Sequence, residues 1–208
     1  MRLLNAGLLS EGARIVMVGS SLGNNDAPKM MGASVYDFAL GAPSDFGTDL
    51  ASAMIAFAKG ENSEVYNSQR YYATTKLFSS WWSGALNRNY GDQVSAFTVG
   101  PGPNMGTNVG RNQSGFMKFM MSTIMPVLGS LMGANQPISE GAKRYLDVLH
   151  NEGQVFKQGK TYTSPPKTPT GPLTEVEYPH VNNAERQDIA WAVLNQLVGL
   201  KDLEPNQG

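Results

Sequence analysis

A chain of 208 residues with 16 Lys and Arg against 17 Asp and Glu, 41% hydrophobic residues and no cysteine has the composition of a single globular domain with its own core. A net charge of -1 gives no field for a polyanion, which argues against nucleic acid as a partner. The missing cysteines exclude disulfides, thiolate metal sites and a cysteine nucleophile, and two histidines are too few for an all-protein catalytic zinc. A membrane-spanning helix needs roughly 18 apolar residues in a row; the nearest candidate, 116–131, is broken by Lys118, Ser122, Pro126 and Gly129. No integral membrane segment is expected, no signal peptide is legible, and the expected location is the cytoplasm.

In chain order, Ala13-Arg-Ile-Val-Met-Val-Gly-Ser20 is a short β-branched apolar run bounded by Gly12 and Gly19, which predicts a buried parallel strand. A long connection, 24–68, follows, with helical potential only around Asp49 to Lys59; connections of this length usually cover a site. From Gln69 to Tyr90 the apolar residues Leu77, Phe78, Trp81, Trp82, Ala85 and Leu86 have the spacing of a helix with a wide buried face. Val94 to Val99 predicts a second strand, closed by Gly100-Pro-Gly102. Strand, helix and strand make the crossover unit of a parallel sheet, so the expected class is α/β. A methionine-rich apolar stripe, Met117 to Met132, comes next and reads first as core or subunit packing, then as a lid over an apolar substrate. Ser139 to His150 predicts a helix capped by Ser139, Lys160 to Thr163 a last short strand, 164–180 a proline-rich surface loop, and Asn183 to Leu200 a helix with Ile189, Val193 and Leu197 on one face. His150 reads as a helix C-terminal residue and His180 as a loop residue, neither of them catalytic. The chain reads as one domain, 1–208, without repeats.

The chemistry concentrates at Tyr72-Ala-Thr-Thr-Lys76, a phenol and an ammonium one helical turn apart on the crossover helix. Such a pair alone is often just a solvated helix face. Its position adds meaning, because Ser20 stands where the preceding strand ends, and open parallel sheets bind ligands outside the carboxyl ends of their strands. A phenol with a pKa near 10 carries protons poorly at neutral pH; lowering it by about 3 units requires about 4 kcal/mol of selective stabilisation of the phenolate, which a fixed cation in a partly dry cleft can largely supply. A serine hydroxyl that holds a substrate oxygen, beside a tyrosine that donates or takes the proton, equips a site for carbonyl reduction or alcohol oxidation, with the hydride coming from a cofactor.

In order, 13–23, Tyr72-Ala-Thr-Thr-Lys76, Gly100-Pro-Gly102 and Thr107-Asn-Val-Gly-Arg111 resemble the catalytic half of the short-chain dehydrogenase/reductases. The resemblance implies catalytic roles for Ser20 as the substrate-orienting hydroxyl, Tyr72 as the acid/base and Lys76 as the cation beside it. It also implies cofactor binding by Lys76, Pro101, Gly102 and Thr107, with NADP or NAD as cofactor and a small apolar carbonyl or alcohol as substrate. Tyr71, followed four residues on by Thr75, is rejected as the acid/base. Finer features, among them Gly23-Asn24, Ser139-Glu-Gly-Ala-Lys-Arg144 and Ala190-Trp191, are similar to light-dependent protochlorophyllide reductases and retinol-dehydrogenase-like relatives, although Phe78 stands where the pigment reductases carry a cysteine.

The family's phosphate-binding fingerprint, Thr-Gly-x-x-x-Gly-x-Gly, has no counterpart in the chain. The expected architecture is therefore a partial Rossmann-like, doubly wound parallel sheet that lacks the N-terminal dinucleotide-fingerprint half. In this reading 24–68 is an insertion over the active site and 112–136 a substrate lid region, and the chain pairs with a missing N-terminal half or forms a homo-oligomer. Two alternatives stand beside oxidoreduction of a carbonyl: a noncatalytic remnant that binds a partner, and double-bond reduction of the protochlorophyllide type.

Overall fold

The computed structural model describes residues 6–25, 34–104, 129, 136–151 and 155–199. Four strands, β1 (Ala13–Val18), β2 (Val94–Val99), β3 (Thr161–Thr163) and β4 (Thr174–Glu175), form one open sheet in the order β1-β2-β3-β4. β1 and β2 pair in parallel from Ala13↔Val94 to Val18↔Val99, β2 and β3 pair in parallel at Thr98↔Thr161 and Val99↔Tyr162, and β4 returns antiparallel at Tyr162↔Glu175. Among the described residues the α-helices are α1 (Asp37–Leu40), α2 (Leu50–Lys59), α3 (Ser68–Tyr90), α4 (Ile138–His150) and α5 (Ala184–Leu197). The class is α/β, with a mostly parallel sheet.

Parallel neighbours need a crossover, and α3 supplies the one between β1 and β2. The Asn67 side chain caps its start by accepting from the Gln69 and Arg70 N–H groups. Leu77, Trp81, Ala85 and Leu86 are fully buried, as their spacing predicts, while Trp82 is only half-buried. The sheet is covered on both faces because alternate residues of each strand point opposite ways. Val94 and Ala96 join Leu86 and Tyr90 of α3, whereas Phe97 and Val99 join Val148 of α4, Phe156 and Tyr162. β2 is therefore buried along its whole length, but β1 is half-buried and Val18 is 54% exposed at its end.

Several expectations are adjusted. The connection 24–68 holds more order than its single helical patch suggests: α1, α2 and the 3-10 turn Ser63–Val65 carry Tyr36, Phe38, Phe46 and Phe57 into a ring cluster with Tyr71 and Phe78. Scattered aromatics have no periodicity to detect, yet each ring buries a large apolar area and they find one another in space. α4 begins at Ile138 with Pro137 as its N-cap and no side-chain cap, so Ser139 lies in the first turn; the fixed φ of Pro137 suits it to that entry. α5 buries Ala190 and Val193, but Leu197 is 37% exposed at its end. Within the proline-rich loop, Thr174–Glu175 forms β4, held by ion pairs of Glu175 with Lys157 and Lys160 at 2.9 and 3.4 Å. Apart from Gly129 and Gln136, the stripe 117–132 and the lid region 112–136 lie outside the described residues.

Truncating Leu77 to alanine removes fully buried apolar surface from the α3 seam and is expected to cost about 2–5 kcal/mol in a urea unfolding experiment. The Lys157 hydrogen bond, foremost, holds the Glu175 carboxyl below its ordinary value against the opposing effect of burial. A carboxyl depressed in the folded state stabilises above the unfolded glutamate pKa of about 4.3 and loses that contribution as pH falls through the folded value. Acid unfolding of Glu175→Gln, followed by circular dichroism, should lack this part of the pH dependence.

Candidate functional site at the carboxyl ends of the parallel strands

Two glycines set how closely the site elements approach one another. Gly19 continues the β1 ladder, its N–H donating to Val99 O at 2.8 Å, and a Cβ there would lie 2.6 Å from Thr98 Cγ2. The chain then turns through the 3-10 turn Ser21–Asn24, with the Ser20 hydroxyl accepting from Leu22 N–H at 3.3 Å. Gly23 of this turn lies directly on α3: a Cβ would stand 2.8 Å from Leu77 N and 2.9 Å from the carbonyl carbon of Lys76. Ser20 is thereby held beside the part of α3 that bears Tyr72 and Lys76.

Tyr72 is 47% exposed, and Lys76 is half-buried with its Nζ 5.5 Å from the Tyr72 ring centroid. The Lys76 ammonium donates to Val18 O at 2.8 Å, the carbonyl two residues before Ser20. Because N–H and C=O of successive strand residues point to opposite sides, the Gly19 bond to β2 sends the Val18 carbonyl outward, to the free side of β1, where Lys76 meets it. Burial lowers the Lys76 pKa, which makes its charge more costly and its one backbone bond more valuable.

Tyr71, one residue earlier, turns the other way. It stacks on Phe57 at 4.3 Å between centroids and meets Tyr36 edge-on, and burial, then Tyr36 and Tyr66, raises its pKa. The described part of the long connection packs on this Tyr71 and Phe78 face of α3 and leaves Tyr72 half exposed.

Gly100 continues from β2 beside the Ser20 turn; a Cβ on it would lie 2.9 Å from Thr163 Cγ2 and 3.6 Å from Ser20 Cα. Asn24, 2% exposed, ties the same turn to β3 through a 3.0 Å bond from its amide to Thr163 Oγ1. Gly102 has φ +76, a conformation that favours glycine, and Pro101 O accepts from Gln136 Nε2. Ser20, Lys76, Pro101 and Gly102 therefore all stand at the carboxyl ends of β1 and β2, with Tyr72 one helical turn before Lys76 on α3. Thr107 lies outside the described residues.

Two residues of α4, Tyr145 and Arg144, also reach this end of the sheet and were assigned no site role from the sequence. Burial, followed by the Tyr72 phenol, pushes Tyr145 up to about 12, so this phenol keeps its proton throughout the neutral range. Arg144, 7% exposed, donates from Nη2 to Gln136 Oε1 at 3.1 Å and to Gly171 O at 2.8 Å, linking α4 to the Pro101 loop and the proline-rich loop. Its signal was present in the sequence: Gly141, Arg144 and Val148 share the buried face of α4, where an arginine is out of place. Among the described residues no group of His, Asp and Glu could hold a metal ion.

Comparison with protein-family models finds no match, and a search of curated proteins finds no significant relative. No helix among the described residues is long and apolar enough to cross a membrane.

A methyl group added at Gly23 has no soft neighbour to displace, since the obstructing atoms are mainly the α3 backbone. Gly23→Ala is expected to cost about 1–3 kcal/mol by denaturant unfolding, whereas an alanine at solvent-facing Ser21 should have little effect.

Proposed function

We propose that this chain is the catalytic portion of an NAD(P)-dependent short-chain oxidoreductase that interconverts a carbonyl and an alcohol on a small apolar substrate. The observation that carries the reading is the Lys76 ammonium, bonded to Val18 O at 2.8 Å and 5.5 Å from the Tyr72 ring, at the strand end that leads into Ser20. A partial Rossmann-like, doubly wound sheet is the finer architecture this reading implies. Ser20 would orient the substrate oxygen and Tyr72 would pass the proton, with the Lys76 ammonium standing over its ring. The Lys76 bond to the backbone restricts where that charge can go.

The residues fit a nicotinamide nucleotide at one end only. Lys76, Pro101 and Gly102, with Thr107, would hold the nicotinamide and its ribose, and a bound nucleotide would supply the hydride. For the diphosphate the fit is poor: Gly19 and Gly23 give up their Cβ positions to contact with β2 and α3, so neither offers a cradle for phosphate oxygens. This poor fit favours a second reading, in which the chain binds a partner without catalysing a reaction. Double-bond reduction of the protochlorophyllide type is less favoured, because Phe78 is 7% exposed and stacked on Trp81, away from solvent.

Reduction of short apolar aldehydes and ketones by NADPH or NADH, followed through nicotinamide absorbance, tests the oxidoreductase reading. Tyr72→Phe is expected to lower turnover by about 10²- to 10⁴-fold while leaving the unfolding midpoint unchanged, because the side chain is half exposed. Unchanged turnover in Tyr72→Phe would rule out the assignment, and failure of the full chain to bind either nucleotide in a fluorescence titration would favour the partner-binding reading.

A further inference from the structure

Among the described residues, Arg144 is a buried cation without a counter-ion. The bonds given for its Nη2 go to neutral acceptors, Gln136 Oε1 and Gly171 O, and its Nη1 is buried with no hydrogen-bond partner among the described residues. Nη1 lies beneath Gly102, where a Cβ would come within 2.7 Å of it. Taking a guanidinium out of water costs several kcal/mol unless an anion compensates it, and no described carboxylate pairs with this one. Glu140 acts on it electrostatically without an ion pair, and burial, the larger effect, lowers its pKa.

A cavity of about 290 Å³ has Arg144 in its wall. Its wall also carries Lys143, Glu140 and Asp147, so the charged groups sum to zero, and it presents apolar surface from Phe156 and Leu173. A wall with no net charge suits a singly charged anion better than a doubly charged phosphate. We propose that this cavity binds a small organic carboxylate, its anionic end on the Arg144 guanidinium and its apolar body against Phe156 and Leu173. Binding swings Nη1 from beneath Gly102 toward the cavity and gives the buried charge a charge-assisted hydrogen bond in place of none. The site is independent of the oxidoreductase reading, and so is its test.

The probes are acetate and benzoate, titrated into the full chain against chloride at constant ionic strength, with thermal unfolding and isothermal titration calorimetry as readouts. The wild type is expected to gain thermal stability with carboxylate concentration, more with benzoate than with acetate. Arg144→Met should bind benzoate about tenfold or more weakly, the loss expected when a charged hydrogen-bond partner is removed. In chloride alone Arg144→Met loses its two Nη2 bonds together with the buried charge, so each variant's response is read as the carboxylate-dependent shift from its own midpoint in chloride. Arg144→Lys, which keeps the charge and loses the planar fork, should fall between them. A wild type that neither carboxylate stabilises overturns the proposal whether or not any variant folds, and so does an Arg144→Met variant that responds as the wild type does.

Discussion

The contact between Gly23 and the backbone of α3 is the constraint on which the candidate site depends. A helix carries its side chains at a fixed radius, so two backbones come this close only where one of them has no Cβ. With Gly23 seated on Lys76 and Leu77, the turn after β1 cannot slide along α3, and Ser20 keeps a constant relation to the Tyr72 and Lys76 positions. Gly19 does the same on the other side, against Thr98 and Val99 of β2. These two approaches convert a sequence spacing into a geometry, and the Lys76 bond to Val18 O closes it from the third side.

Much of this was legible in the chain because it rests on periodicity and local chemistry. The β-branched run at Ala13–Val18, the i, i+3, i+4 pattern through Leu86 and the fully apolar Val94–Val99 predict a parallel sheet and its crossover, and those elements are present. The helix around Asp49 to Lys59 was readable as well, with Asp49 accepting from Ser52 N–H at its cap. The aromatic cluster was not readable, since Tyr36, Phe46 and Phe57 are far apart in sequence and meet only after α1 and α2 fold back on α3. β4 was hidden for a different reason: two residues inside a proline-rich loop acquire strand geometry from β3 and from the Glu175 ion pairs, not from any propensity of their own.

Tyr71 and Tyr72 show how one helical position separates two identical side chains. Both are phenols on the same turn of α3, about 100° apart around its axis. Tyr71 enters the ring cluster, where burial, then Tyr36 and Tyr66, raise its pKa. Tyr72 stays at the margin of the strand ends, near the ammonium of Lys76 and the half-buried phenol of Tyr145. Spacing to Lys76 distinguished them in the sequence, and packing distinguishes them in the fold.

The alternation along β1 has a consequence for the motions of the sheet. β2 has a strand on each side and helices over both faces, whereas the outward amides of β1, at Arg14, Val16 and Val18, have no strand across from them among the described residues. Amide protons of Ile15 and Met17 should therefore exchange with solvent orders of magnitude more slowly than those of their immediate neighbours, while every inner amide of β2 stays protected until the whole domain opens. Lys76 grips the last outward carbonyl of that strand. It acts as a clasp on a fraying hem, so the end of β1 that adjoins the Ser20 turn is the end least free to peel away.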